Sequence, residues 1–201
     1  YTDMNSFYNF FKERKMEYAC SAKLALLGGP GAGKNTFVQI VQKKFPHVSV
    51  QLISLAKPLY EVQNFIYKIC GKEIPDGIQD GFLLNFLGQY MRTINPYVLL
   101  DHLAQSLCEI KNSSDMILCS DARPMDISFI KKMGFTIVYI AADVHLSYER
   151  RKKRGDLSLG CPNHITETGL LEHMYDVQIS NNGSLEEYEE SVVHFLKNYL
   201  S

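Results

Sequence analysis

The sequence predicts a three-layer α/β/α fold built on a parallel central sheet. Short β-forming apolar runs alternate with helical patterns from residue 23 to residue 200. The first of those runs opens directly into a glycine-rich loop with a helix behind it. At 201 residues the chain can bury one real core, and no repeat, low-complexity tract or Pro/Gly-rich linker divides it.

Residues 4–15 have the spacing of an amphipathic helix, with Phe7, Phe10 and Phe11 on one face. Residues 23–27 form an apolar strand. A helix over 34–44 follows the glycine loop, with Phe37, Ile40 and Val41 on its inner stripe, and 48–53 is the second strand. Pro58 opens a helical stretch to residue 70, because proline is at home in a first helical turn. Residues 71–81 read as a loop, and 82–91 and 96–111 as helices. A strand over 116–120 ends in Asp121, a helix spans 125–133, and 135–141 is strongly β-forming. The charged helix 145–154 gives way to an irregular stretch over 155–174, a short strand at 176–180 and a last helix over 185–200. Ser184 followed by Glu187 is a capping box for that helix. The expected organisation is an N-terminal helical extension at 1–22 and one domain over 23–201. Within it, a helical insert occupies 57–111 and a lid 150–174.

Composition excludes some partners. The 21 basic and 22 acidic side chains leave a formal net charge of -1, so no global positive field exists to hold a nucleic acid polymer or an anionic membrane. No apolar run has the length of a membrane span. Five cysteines at wide spacings, with no CxxC pair, read as free thiols in a reducing compartment, and a cytoplasmic location is expected. Oligomeric state stays open: the 1–22 extension packs either on the sheet edge or on a second copy in a homodimer.

The most specific signal is Gly28-Gly29-Pro30-Gly31-Ala32-Gly33-Lys34-Asn35-Thr36 between a strand and a helix, the context as well as the spelling of Walker A. A polyphosphate needs several backbone N–H groups pointing inward, and only a loop nearly free of Cβ atoms wraps that tightly. The helix behind it adds the positive end of its dipole, and Lys34 an ammonium for the β- and γ-phosphates. The expected ligand is ATP with Mg2+. Asn35 stands where Ser or Thr usually meets the metal, so Thr36, one residue later, is the candidate metal ligand beside Asp121. No NKxD guanine-reading sequence is present.

Met116-Ile117-Leu118-Cys119-Ser120-Asp121 looks like Walker B, an apolar strand ending in a carboxylate that holds Mg2+, orients an acceptor hydroxyl, or merely caps a turn. Arg123 leaves the same sheet edge, where it grips an acceptor phosphate or forms a structural salt bridge. Arg150 and Arg154 share a helix face at i, i+4 spacing ahead of Gly155. They read as lid arginines for transition-state charge, against the alternative of a solvated basic helix end. Arg92, in the helical insert, is either an acceptor-phosphate ligand or a surface arginine. His164 has no second ligand at metal spacing and reads as structural.

The loop spelling is similar to the GxPGxGKGT of adenylate-kinase-type proteins. His164-Ile165-Thr166-Glu167-Thr168-Gly169-Leu170, the stretch Ile179-Ser180-Asn181-Asn182-Gly183-Ser184-Leu185-Glu186-Glu187, Leu55-Ala56-Lys57-Pro58-Leu59 and Ser120-Asp121-Ala122-Arg123 extend that likeness. Together they resemble the P-loop kinase group that includes phage deoxynucleoside monophosphate kinases, dephospho-coenzyme A kinase and animal-type phosphomevalonate kinase. The resemblance implies a P-loop NTPase fold and transfer of the γ-phosphoryl of ATP to a small-molecule phosphate acceptor, a (deoxy)nucleoside monophosphate first. It also implies that Lys34 and Asp121 serve triphosphate and metal, Arg123 the acceptor, and Asn182-Gly183 the backbone beside the adenine. Lys57 and Asn35 depart from the group's pattern. A different small acceptor, or a nucleotide-binding module without turnover, are the rival expectations.

Overall fold

In the computed structural model, residues 22–110, 114–158 and 172–200 are described. The helix expected at 4–15, most of the expected 1–22 extension, Cys20, Cys161, His164 and the lid residues 159–171 lie outside them.

Five strands make one sheet in the order β2-β3-β1-β4-β5: β1 (Ala22–Leu27), β2 (Val50–Ile53), β3 (Met116–Ala122), β4 (Thr136–Ala141) and β5 (Val177–Ser180). Every pairing is parallel. Strand side chains alternate between faces, and the apolar ones divide accordingly. Ala25, Leu27, Ile117, Cys119 and Ile137 pack under one helical layer, while Leu24, Leu26, Met116, Leu118, Val138 and Ile140 pack under the other. The first layer holds α2 (Lys57–Ile69), α3 (Gly81–Ile94), α4 (Val98–Glu109) and the short α5 (Ile127–Lys132). The second holds α1 (Lys34–Lys44) and α7 (Leu185–Tyr199), the latter begun by the Ser184–Glu187 capping box in full. This is the three-layer α/β P-loop fold expected from the alternation of elements.

Most element ends shift by one to three residues from the expectation, and two differences have a structural cause. β3 continues through Asp121 to Ala122, because a register shift between Ala25 and Leu27 in β1 brings Leu27 opposite Ala122 and prolongs the ladder. The helix expected over 125–133 divides into a 3-10 turn (Pro124–Asp126) and α5, since Pro124 sets a tight first turn. α6 (Val144–Arg154) has no buried residue, so it lies on the surface at the mouth of the site.

Because all strands run the same way, their carboxyl ends meet at one edge. That edge carries the glycine loop after β1, Ser54-Leu55-Ala56 after β2, Asp121 and Arg123 at β3, Asp143 after β4 and Asn181 after β5.

Candidate functional site

The glycine loop has the shape its composition demands. Gly33 is the N-cap of α1 at φ 107°, and a Cβ there would collide with the amide of Asn181; Gly31, at φ 83°, would collide with the carbonyl of Ser147. No side chain caps α1, and its first turn contains no acidic residue, so the helix presents its leading amides toward the loop. Lys34 Nζ donates to the carbonyls of Gly28 at 2.6 Å and Gly29 at 2.9 Å, which places the ammonium over the loop.

Two residues behind the loop hold it, and sequence reasoning passed over both. Asn181, 5% exposed at the end of β5, donates from Nδ2 to the Ala32 carbonyl at 2.7 Å and accepts from Arg150 Nη2 at 3.3 Å. Tyr188 donates its hydroxyl to the Gly33 carbonyl at 3.2 Å, and burial pushes that phenol well above its ordinary range. The available signal was a buried-type position carrying Asn at the end of an apolar strand. The neighbouring Asn182 accepts from the Asp143 amide at 2.7 Å, and Gly183 lies against Glu187 within the capping box.

Asp121 is 6% exposed. One of its oxygens accepts from the Leu55 amide at 2.7 Å and faces the Cys119 thiol at 3.7 Å. The other accepts from Ser54 Oγ at 2.6 Å and the Ala56 amide at 3.0 Å. A carboxylate has about four lone-pair positions, and these four contacts engage them. Its charge therefore reaches the cavity mainly through the Ser54 hydroxyl and through space. Burial beside that carboxylate also pushes the Cys119 thiol up beyond any physiological range, so this thiol is inert.

The loop, Lys34, Asn35, Thr36, Asp121, Arg123, Arg150, Arg151 and Arg154 line one cavity of about 870 Å3, the scale of a nucleotide site with room beside it. The arginines differ in what engages them. Arg154 forms a two-pronged pair with Asp156, at 2.7 and 2.5 Å, whose side chain is fully buried. Arg150 has its Nη1 buried without a hydrogen-bond partner among the described residues. Arg151, which the helix-face argument left out, lines this cavity and the one next to it.

That second chamber, about 50 Å3, is walled by Tyr60, Gln79, Asn85, Arg92, Arg123 and Arg151, and no carboxylate among the described residues lines it. Arg92 is not a surface arginine: its side chain is 14% exposed and donates from Nη2 to Asp126 at 2.8 Å. Tyr60 lines both spaces and accepts from Gln79 Nε2 at 3.2 Å; burial first, then the nearby Asp121 charge, raise its pKa to about 12. Among the described residues no group of three His, Cys, Asp or Glu side chains is placed to hold a metal unaided. None of the described helices is long and apolar enough to cross a membrane.

This fold and loop define a P-loop α/β protein. Among solved structures, TT1252 from Thermus thermophilus is similar at 15% identity and TM-score 0.52, over 90% of this chain and 99% of that one. Shikimate kinase from Acinetobacter baumannii, solved with shikimate, is 16% identical at TM-score 0.51, over 89% and 93% of the two chains. The APS kinase of Mycobacterium tuberculosis, solved with AMPPNP and APS, is 14% identical at TM-score 0.51, over 88% and 97%. These likenesses are of fold. No protein-family model matches the sequence, and no curated protein matches it in sequence.

Proposed function

We propose that this chain transfers the γ-phosphoryl group of ATP to a small anionic acceptor, a (deoxy)nucleoside monophosphate first among them. The observation that carries the reading is the opening of an uncapped helix N-terminus and its glycine loop into the same cavity as Lys34, Arg123, Arg150 and Arg151. Two similar folds belonging to kinases of small molecules support it.

In this reading the loop amides and Lys34 hold the β- and γ-phosphates, and Asn181 with Tyr188 keeps the loop rigid from behind. The adjacent chamber receives the acceptor anion between Arg92, Arg123 and Arg151. Arg151, which lines both spaces, and Arg150, which lines the first, spread the charge of the moving phosphoryl group. An ionised acceptor phosphate needs no strong base, which agrees with an Asp121 whose lone pairs are already taken. The same saturation argues against the hydroxyl-acceptor alternative, in which Asp121 would have to take a proton.

The residues present suit Mg2+, which is held largely by nucleotide oxygens and water with one or two protein groups. Thr36 would supply its hydroxyl, Asp121 would act through water or Ser54, and the ion would neutralise phosphate charge.

The test is ADP release in the presence of each nucleoside and deoxynucleoside monophosphate, dephospho-coenzyme A and phosphomevalonate. ADP formed with a nucleotide acceptor and abolished by Lys34→Ala is expected. ADP formed only with a non-nucleotide acceptor overturns the substrate assignment, and ATP binding without turnover on any acceptor favours a binding module.

A further inference from the structure

We propose that Asp126, which does not line either chamber, is a positioning residue: it fixes the Arg92 guanidinium, and with it the Arg123 backbone, as a rigid receptor for the acceptor's anionic group. The proposal rests on assigning the three-arginine chamber to the acceptor.

Asp126 is 4% exposed, and burial pulls its carboxyl pKa up against the opposing charges of Arg92 and Arg123. A buried ion pair is a poor way merely to staple a helix to a sheet, because two packed apolar side chains do that at no desolvation cost. Here the pair has a direction. Asp126 Oδ2 takes Arg92 Nη2 at 2.8 Å, while Arg92 Nη1 donates to the Gly88 carbonyl at 3.2 Å on its own helix. Two anchors on two nitrogens fix the plane of a guanidinium, which a single contact would leave free to rotate.

Gly88 lies in the interior of α3, where glycine costs about 1 kcal/mol against alanine. A Cβ at that position would stand 3.4 Å from Leu59 Cδ1 and 3.6 Å from Arg92 Nη1, ordinary contact distances, so the Arg92 guanidinium lies close against the backbone of its own helix.

Asp126 also donates its amide to the Arg123 carbonyl at 2.9 Å across the 3-10 turn. One residue therefore ties the arginine that arrives on the helical insert to the arginine that leaves the sheet edge. Three guanidinium groups around about 50 Å3 repel one another; Asp126 beside Arg92 and Arg123, and Asp156 at 3.5 Å from Arg151, offset part of that repulsion from outside the chamber without occupying the anion's place. The ligand class this selects is a compact dianion carried by a small molecule, a phosphate monoester above a singly charged carboxylate.

Two measurements test this. In steady-state kinetics, Asp126→Ala should raise the KM for the acceptor at least ten-fold while leaving the KM for ATP within two-fold. Asp126→Asn, which keeps an oxygen for Nη2, should recover most of the loss. Separately, inorganic phosphate is titrated into protein whose glycine loop is filled with AMPPNP. Asp126→Ala and Arg92→Ala should weaken phosphate binding by similar factors, and the double variant should add little. A fall in melting temperature with both KM values unchanged makes Asp126 a staple and overturns the proposal. So does phosphate binding that Asp126→Ala leaves intact, or none to the AMPPNP-filled wild type. If phosphate binding responds as expected but no acceptor yields ADP, the kinase reading fails and the positioning role stands.

Discussion

Asn181 sits where the chemistry of the loop is decided. The residue is only 5% exposed, and its side chain joins the Ala32 carbonyl on one side to Arg150 on the other. Replacing it by leucine leaves that carbonyl and the arginine without their partner, and an unsatisfied buried polar group costs about 1–3 kcal/mol. Asn181→Leu should therefore weaken AMPPNP binding by roughly ten-fold or more, read by calorimetry, while acceptor-side phosphate binding is unaffected. Gly33→Ala should be more severe, since the new Cβ meets both a left-handed backbone and the Asn181 amide. Retention of wild-type nucleotide affinity by Gly33→Ala would mean that the loop does not adopt this shape when loaded. The glycine loop and Lys34 were legible in sequence because they are contiguous and the chemistry forces their residue types. Asn181, Tyr188, Arg151 and the Asp126–Arg92 pair were not, because each gains its meaning from a neighbour distant in the chain.

Among the elements, α3 and the segment after α6 are clasped together at Asp80. Its carboxylate caps α3 through the Leu83 amide at 3.1 Å, accepts from Ser158 Oγ at 2.6 Å and from the Tyr67 hydroxyl at 2.8 Å. Partial burial pulls this group's pKa up, and the hydrogen bonds from Ser158, Leu83 and Tyr67 outweigh it, leaving the carboxyl below its ordinary value. A depressed pKa stabilises the fold above the unfolded-state value of about 3.8 and loses that contribution as pH falls through the folded-state value. The melting-temperature advantage of wild type over Asp80→Asn should thus be full at neutral pH and shrink below about pH 4. An advantage independent of pH would show that the charge plays no part. On the opposite face of the sheet, Ser184→Ala removes half of the capping box on α7, the helix that carries Tyr188 to the loop. It should cost about 0.5–2 kcal/mol in urea unfolding. The elements themselves followed from apolar periodicity and cap residues; the end of β3 did not, because a bulge within β3, with Ser120 and Asp121 against the single Leu26 of β1, carries the ladder on to Ala122.

For the molecule as a whole, the parallel sheet gathers five strand ends at one edge, and β1, β2, β3 and β5 each send a residue into the main cavity. The fold class could be read from the alternation of strands and helices, which constrains topology strongly. The division of labour between two chambers could not, since it depends on how the helical insert folds back over the sheet edge and where Tyr60 and Arg92 then stand. Everything functional in this account depends on a triphosphate lodging in the loop ahead of α1. Calorimetric titration of AMPPNP with Mg2+ into wild type and Lys34→Ala tests that directly: saturable one-to-one binding by wild type, weakened at least ten-fold in the variant, is the predicted result. An absence of binding heat for wild type across temperatures, or equal affinity in the two proteins, would contradict it.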